Sequence, residues 1–195
     1  MTSIIEFLNQ PIVVTLITLF VGSYLLNVIA DRRSRKDKLR DKAIEFLTET
    51  GNDMNSAISI MYGHLEGHDS ESDLKLVEAR TLRSITRLFA KRMSVQIRSQ
   101  AYLDSDEFHQ HYDQLLGELE GVAVILTGEQ EQDSSKEIVS QIQERRNRLG
   151  KAWPLENETQ QAPATEPAGE LMLWIDLIRH RTTQLLSENL RSVIE

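Results

Sequence analysis

The chain has 195 residues, 40% of them hydrophobic and 27% charged, with a formal charge of −8; this is a globular balance of about one domain's length, neither disordered throughout nor polytopic. Cysteine is absent, which excludes disulfide frameworks, thiolate zinc sites, iron–sulfur clusters and cysteine nucleophiles. The acidic balance opposes wholesale attraction to nucleic acid or anionic lipid, while local basic clusters still act within about a Debye length.

Residues 1–10 carry Ile4, Ile5, Phe7 and Leu8 around one acid, a composition suited to an extracytoplasmic or interfacial segment. From Pro11 through Leu19 and Gly22 to Ala30 there is no charge, and twelve of these twenty residues are Ile, Leu, Val or Phe. As a helix that run covers about 30 Å, the thickness of a hydrocarbon core. Each of the twelve favours insertion by roughly 0.3 to 0.6 kcal/mol, on the order of 5 kcal/mol together. Residues 31–42 then supply Arg32, Arg33, Arg35, Lys36, Lys38, Arg40 and Lys42 against three Asp, whereas residues 1–10 have no basic side chain. The positive-inside rule therefore predicts a single-pass inner-membrane helix over 11–30, with the amino end outside and the carboxyl side cytoplasmic. Val28-x-Ala30 has the small-residue pattern of a signal-peptidase site, but the run before it is too long and lacks a basic start. Thr18 and Gly22 have the small-xxx-small spacing that lets two membrane helices approach.

The remainder reads as all-α. No proline lies between Pro11 and Pro154, and apolar residues recur at three and four rather than two. A cytoplasmic bundle of four to five helices is expected, occupying residues 43–153 with a further helix after a linker. Its first helix carries Ile44, Leu47, Gly51, Met54, Ile58, Met61 and Leu65 in alternating threes and fours, a seam that meets either its own bundle or a second copy. It is expected to end between Gly63 and Gly67, and nothing before Gly51 breaks its continuity with the membrane segment. A second helix is expected over about 73–101, a third over 105–126 and a fourth over 135–149, with capping boxes at Asp104/Glu107 and Ser134/Glu137. Residues 154–169 hold three of the four prolines and read as a linker. A last amphipathic helix within 170–195 gathers Leu171, Trp174, Ile178 and Leu185, widened by Leu186, Leu190 and Ile194, and that face requires a partner.

Candidate chemistry is sparse. His64 and His68 are four apart with Glu66 between them, but the order is H-x-E-x-H, not H-E-x-x-H, and no third ligand is near. His109 and His111 point to different sides of a helix and are expected to be solvated. There is no G-x-S-x-G, phosphate loop or calcium loop. The glycines of GELEG, residues 117–121, are expected to permit close helix packing. The second helix carries the most informative polar pattern: Arg80, Arg83, Arg87, Lys91 and Arg98 fall within about 80° of one another. This stripe is suited either to an acidic protein or anionic lipid, or to neutralisation by the acid-rich third helix with Asp104, Asp106, Glu107, Asp113, Glu118 and Glu120. Without interleaved exposed aromatics it does not read as a nucleic-acid surface.

No motif names a family. The expected role is a non-enzymatic interaction or regulatory subunit, needing no cofactor or metal, tethered to the lipid bilayer and contacting a protein partner or a second copy of itself. The alternatives are a membrane-anchored metal-dependent hydrolase using His64 and His68, and a signal relay through the continuous helix.

Overall fold

The computed structural model describes residues 11–65, 71–128, 135–152, 164 and 166–195, with side chains described for residues 28, 30–65, 74–128, 136–152, 164 and 166–195. Among the described residues the chain is all-α: α1 (Pro11–Leu65), α2 (Glu71–Leu103), α3 (Asp106–Leu126), α4 (Ser135–Ala152) and α5 (Pro167–Ile194). It divides into two units, residues 1–42 and 43–195. In the first, the backbone is helical from Pro11, and the side chains of residues 30–42 are all exposed. Asp31 and Arg35 pair one turn apart at 2.9 Å. The expected membrane segment lies almost wholly among side chains outside the described set. Among the described residues no helix is long and apolar enough to cross a membrane.

The second unit contains the core. Leu47, Met54, Ile58 and Met61 of α1 are at most 3% exposed, Gly51 is buried among them, and Leu65 packs against the cluster from its edge. Ile44 is half-buried; Ala43, Phe46 and Ala57 are buried in addition. The seam is thus filled by the chain's own helices. Phe46 lies 5.4 Å, centroid to centroid, from Phe108 of α3, and a Cβ added at Gly51 would stand 2.8 Å from Leu186 Cδ1 of α5.

α2 and α3 form an antiparallel hairpin joined by Asp104 and Ser105. Arg92 of α2 meets Asp113 of α3 at 2.6 Å, while nearer the turn Gln100 Nε2 donates to Asp106 Oδ1 at 3.2 Å. Tyr112, buried, donates its hydroxyl to the carbonyl of Leu88. The capping residue differs from expectation. Ser105 is the N-cap and accepts from the Phe108 N–H at 3.2 Å, with Asp106 and Glu107 in the first turn. Asp104, one residue earlier, takes the left-handed conformation at φ 50°, which suits an aspartate closing a tight turn rather than a capping position. α3 ends at Thr127 and Gly128: the Gly128 N–H donates to the Ile125 carbonyl at 3.3 Å, and its φ of 68° turns the chain out of the helix. The capping box at Ser134 lies outside the described residues.

α5 runs antiparallel to α1, since Gly51 faces Leu186 and Tyr62 faces Asp176. It also packs on α3 and α4. Leu171, Trp174, Ile178 and Leu185 are buried as expected, while Leu190 and Ile194 remain exposed. The bundle is therefore the partner that the apolar face of this helix requires. Pro167 stands in its first turn, so the helix begins three residues before the expected boundary. Glu170, fully buried, accepts the Ala164 N–H at 2.6 Å and the Gln143 amide at 3.1 Å, with Arg146 3.5 Å from its other oxygen. That carboxylate ties the chain before α5 to α4.

Candidate functional site

The basic stripe on α2 divides into two parts. Arg98, Lys91 and Arg87 face α1: Arg98 meets Glu49 at 2.6 Å, Lys91 meets Asp53 at 2.5 Å and Glu49 at 3.2 Å, and Arg87 meets Asp53 at 3.2 Å. The expected internal neutralisation is present, but its acids come from the first helix and not the third. α3 instead neutralises Arg92, which lies off the stripe, through a two-bonded contact of Asp113 with Nε and Nη2 at 2.8 and 2.6 Å. These pairs leave the expected electrostatic marks. Hydrogen bonds from Arg98 and then Lys91 hold the Glu49 carboxyl below its usual range, and Asp53 holds Lys91 above its own. Arg98 also lies 4.9 Å from the centroid of the Phe46 ring, so its aliphatic stem and cation cover the edge of the core.

Arg80 and Arg83 form the second part. Both are exposed, and neither has a carboxylate partner among the described residues. With Arg87, Ser84 and Leu88 of α2 and Asp53, Ser56 and Ile60 of α1 they line an open cleft of about 180 Å³. Ser84 donates its hydroxyl to the Thr81 carbonyl. Ser56 is exposed and makes no hydrogen bond among the described residues. Beside this basic edge α2 exposes Leu82, Met93 and Ile97, the last two at 66% and 60%, on one face about 60° wide.

A second charged arrangement is internal. Trp174, fully buried, donates its indole N–H to Glu118 Oε2 at 3.0 Å, and the Arg145 guanidinium stacks 5.8 Å from the indole centroid. Burial raises the Glu118 pKa, against the lowering effects of Arg145 and of the indole hydrogen bond. Gly121 makes this possible. A Cβ there would come within 2.2 Å of Arg145 Nη1 and 2.9 Å of Trp174 Cη2, whereas one at Gly117 would meet nothing. Only one glycine of the GELEG stretch therefore serves close packing. Across the bundle Tyr62 donates to Asp176, and burial, with Asp176 reinforcing it, pushes the phenol up to about 12.

Among the described residues no three His, Asp or Glu side chains stand close enough to hold a metal ion. His64 is half-buried at the end of α1, and His68 lies outside the described residues. His109, expected in solvent, is only 17% exposed and stands 3.3 Å from Asp113, one turn on. The basic residues of 31–42, Arg32, Arg33, Arg35, Lys36, Lys38, Arg40 and Lys42, are all exposed. No family model, no curated protein and no solved structure matches this chain.

Proposed function

We propose that this chain is a non-enzymatic, single-pass tether that holds a helical cytoplasmic domain at the inner membrane as an interaction or regulatory subunit of a membrane-associated assembly. The observation that carries the reading is the join of the uncharged run 11–30 to seven basic residues within 31–42. That arrangement supports both insertion and orientation. The exposed side chains of residues 30–42 are consistent with it, since a basic segment beside a bilayer needs its charges free for water and headgroups. A helical bundle confined to the membrane plane meets partners at a raised effective concentration without any catalytic group. Because the α1 seam is occupied within the bundle, contact with a protein partner or a second copy falls to the outer surface of residues 43–195.

The test is extraction and protection. The full chain should stay with the membrane fraction in alkaline carbonate, and protease added to sealed right-side-out vesicles should spare a carboxyl-terminal tag. Release by carbonate removes the anchor; digestion of the tag without detergent reverses the orientation.

A further inference from the structure

We infer that the cleft between α1 and α2 is a phosphate-monoester site, with Arg80 and Arg83 as its principal ligands. The inference is independent of membrane anchoring, because every lining residue belongs to residues 43–195.

The charge balance of the cleft is positive although the chain is acidic. Three arginines line it and one acidic residue, Asp53. Both oxygens of Asp53 are already engaged, Oδ1 by Arg87 and Oδ2 by Lys91. Asp53 therefore does not compete for Arg80 and Arg83; it holds the exposed Arg87 beside them. Arg80, Arg83 and Arg87 recur at three and four, which stacks them along one face of α2. Two of the three, Arg80 and Arg83, have no carboxylate partner among the described residues, whereas α1 supplies one to Lys91 and Arg98 further along.

The donor set selects the ligand class. A carboxylate has two oxygens and is satisfied by one guanidinium fork, whereas a terminal phosphate offers three oxygens and two negative charges. Arg80 and Arg83 can each present a fork to those oxygens, and Ser56 adds a hydroxyl with no other partner among the described residues. Ile60 and Leu88 complete the wall with apolar surface, which suits the carbon side of an ester. The volume of about 180 Å³ admits the phosphate and the first atoms attached to it. A phosphomonoester headgroup of a lipid and a soluble phosphomonoester share this chemistry.

The experiment uses the full chain in zwitterionic detergent. Phenylglyoxal modifies exposed arginines, and peptide mass analysis reads the rate at each one. Inorganic phosphate, at ionic strength matched with chloride, should slow modification of Arg80 and Arg83 while leaving Arg32 and Arg33 unchanged. The Arg80→Gln/Arg83→Gln variant, which removes no intramolecular pair, should keep its helical circular dichroism and bind phosphate about tenfold or more weakly by calorimetry. Mixed micelles with phosphatidic acid or with phosphatidylglycerol then separate the sources. Selective protection by phosphatidic acid assigns the site to a lipid headgroup. Protection by free phosphate and not by phosphatidic acid assigns it to a soluble ester. Equal slowing at all arginines, no slowing at any, or unchanged phosphate affinity in the folded double variant overturns the site.

Discussion

Gly117 and Gly121 are four residues apart on α3 and look alike in the sequence, yet their surroundings are opposite. At Gly121 an added methyl group collides with Trp174, a fully buried ring, as well as with the movable end of Arg145. Gly121→Ala should therefore lower stability by about 1–3 kcal/mol through overpacking. Gly117→Ala meets open space in an exposed helical position and should raise stability by about 0.5–1 kcal/mol from helix propensity alone. Urea midpoints of the two variants read both signs at once; equal effects would mean that the close approach at Gly121 is absent. Glu118 gives a pH prediction at the same place. Its pKa is raised by burial, so its folded form holds the proton more tightly than the unfolded chain does. The stability it lends is complete below the unfolded pKa and is lost as pH rises through the folded one. Glu118→Gln keeps an acceptor for the Trp174 N–H and removes the ionisation. Its stability relative to the parent chain should therefore increase from about pH 4 to pH 7, at the foot of the usual carboxylate range and above it. A difference that is flat or falls with pH would show that the carboxylate is not disfavoured there. Glu49, whose pKa is lowered by Arg98 and Lys91, has the opposite sign and loses its contribution as pH falls. Comparison with the parent at each pH cancels that background.

At the scale of elements, what the sequence made legible was periodicity, and what it hid was which helix faces which. The three-and-four spacing from Leu47 to Met61 identifies a buried stripe because side chains at those intervals share a helix face, and Leu47, Met54, Ile58 and Met61 belong to the core together with Phe46 and Ala57, which lie off that spacing. The same spacing identifies the core face of α5 at Leu171, Trp174, Ile178 and Leu185. It cannot choose a neighbour. Glu49 and Asp53 on α1 and Asp113 on α3 are equally acidic on paper, and the greater density of acids on the third helix pointed to the wrong neighbour for the α2 stripe. Packing settles it: the core direction of α2 lies between the two acidic helices, placing the stripe toward α1 and Arg92 toward α3. Likewise Asp104 and Ser105 are both good capping residues, and only the conformation of the turn distinguishes them. The Trp174–Glu118–Arg145 arrangement had one weak sign in the sequence, a glycine at 121 in the middle of an apolar helix face. The α1–α2 pairing gives the next prediction. Asp53→Ala and Lys91→Ala, alone and together, should show a coupling of about 1 kcal/mol at low salt that shrinks as salt is added, since both groups keep some contact with water. Asp53→Ala paired with Arg83→Ala should show no coupling, because Arg83 has no bond to that carboxylate. Coupling of similar size in both cycles would mean a diffuse field in place of a specific contact.

For the whole molecule the division at residue 42 separates two kinds of chain. Among the described residues, every one of the apolar core belongs to residues 43–195, and the helix stretch from Ala30 to Lys42 keeps its side chains exposed. A fragment of residues 43–195 therefore loses no buried contact from that stretch and should fold alone, unfolding in one cooperative transition in heat or urea, as single domains of this size generally do. In that fragment Met54→Glu places a carboxylate at a site 1% exposed within the apolar core. The cost should reach several kcal/mol, a large share of the total stability of a small domain, and should abolish the cooperative transition or move it far down. Were the seam instead a contact between chains, the same substitution would leave a folded monomer with an unchanged transition and lower only the apparent mass in solution. Sedimentation of the parent fragment across a hundredfold range of concentration supplies the matching measurement. A mass that stays that of one chain while the unfolding midpoint stays constant places the seam inside the monomer, because a dimer held by this surface would gain stability with concentration by mass action.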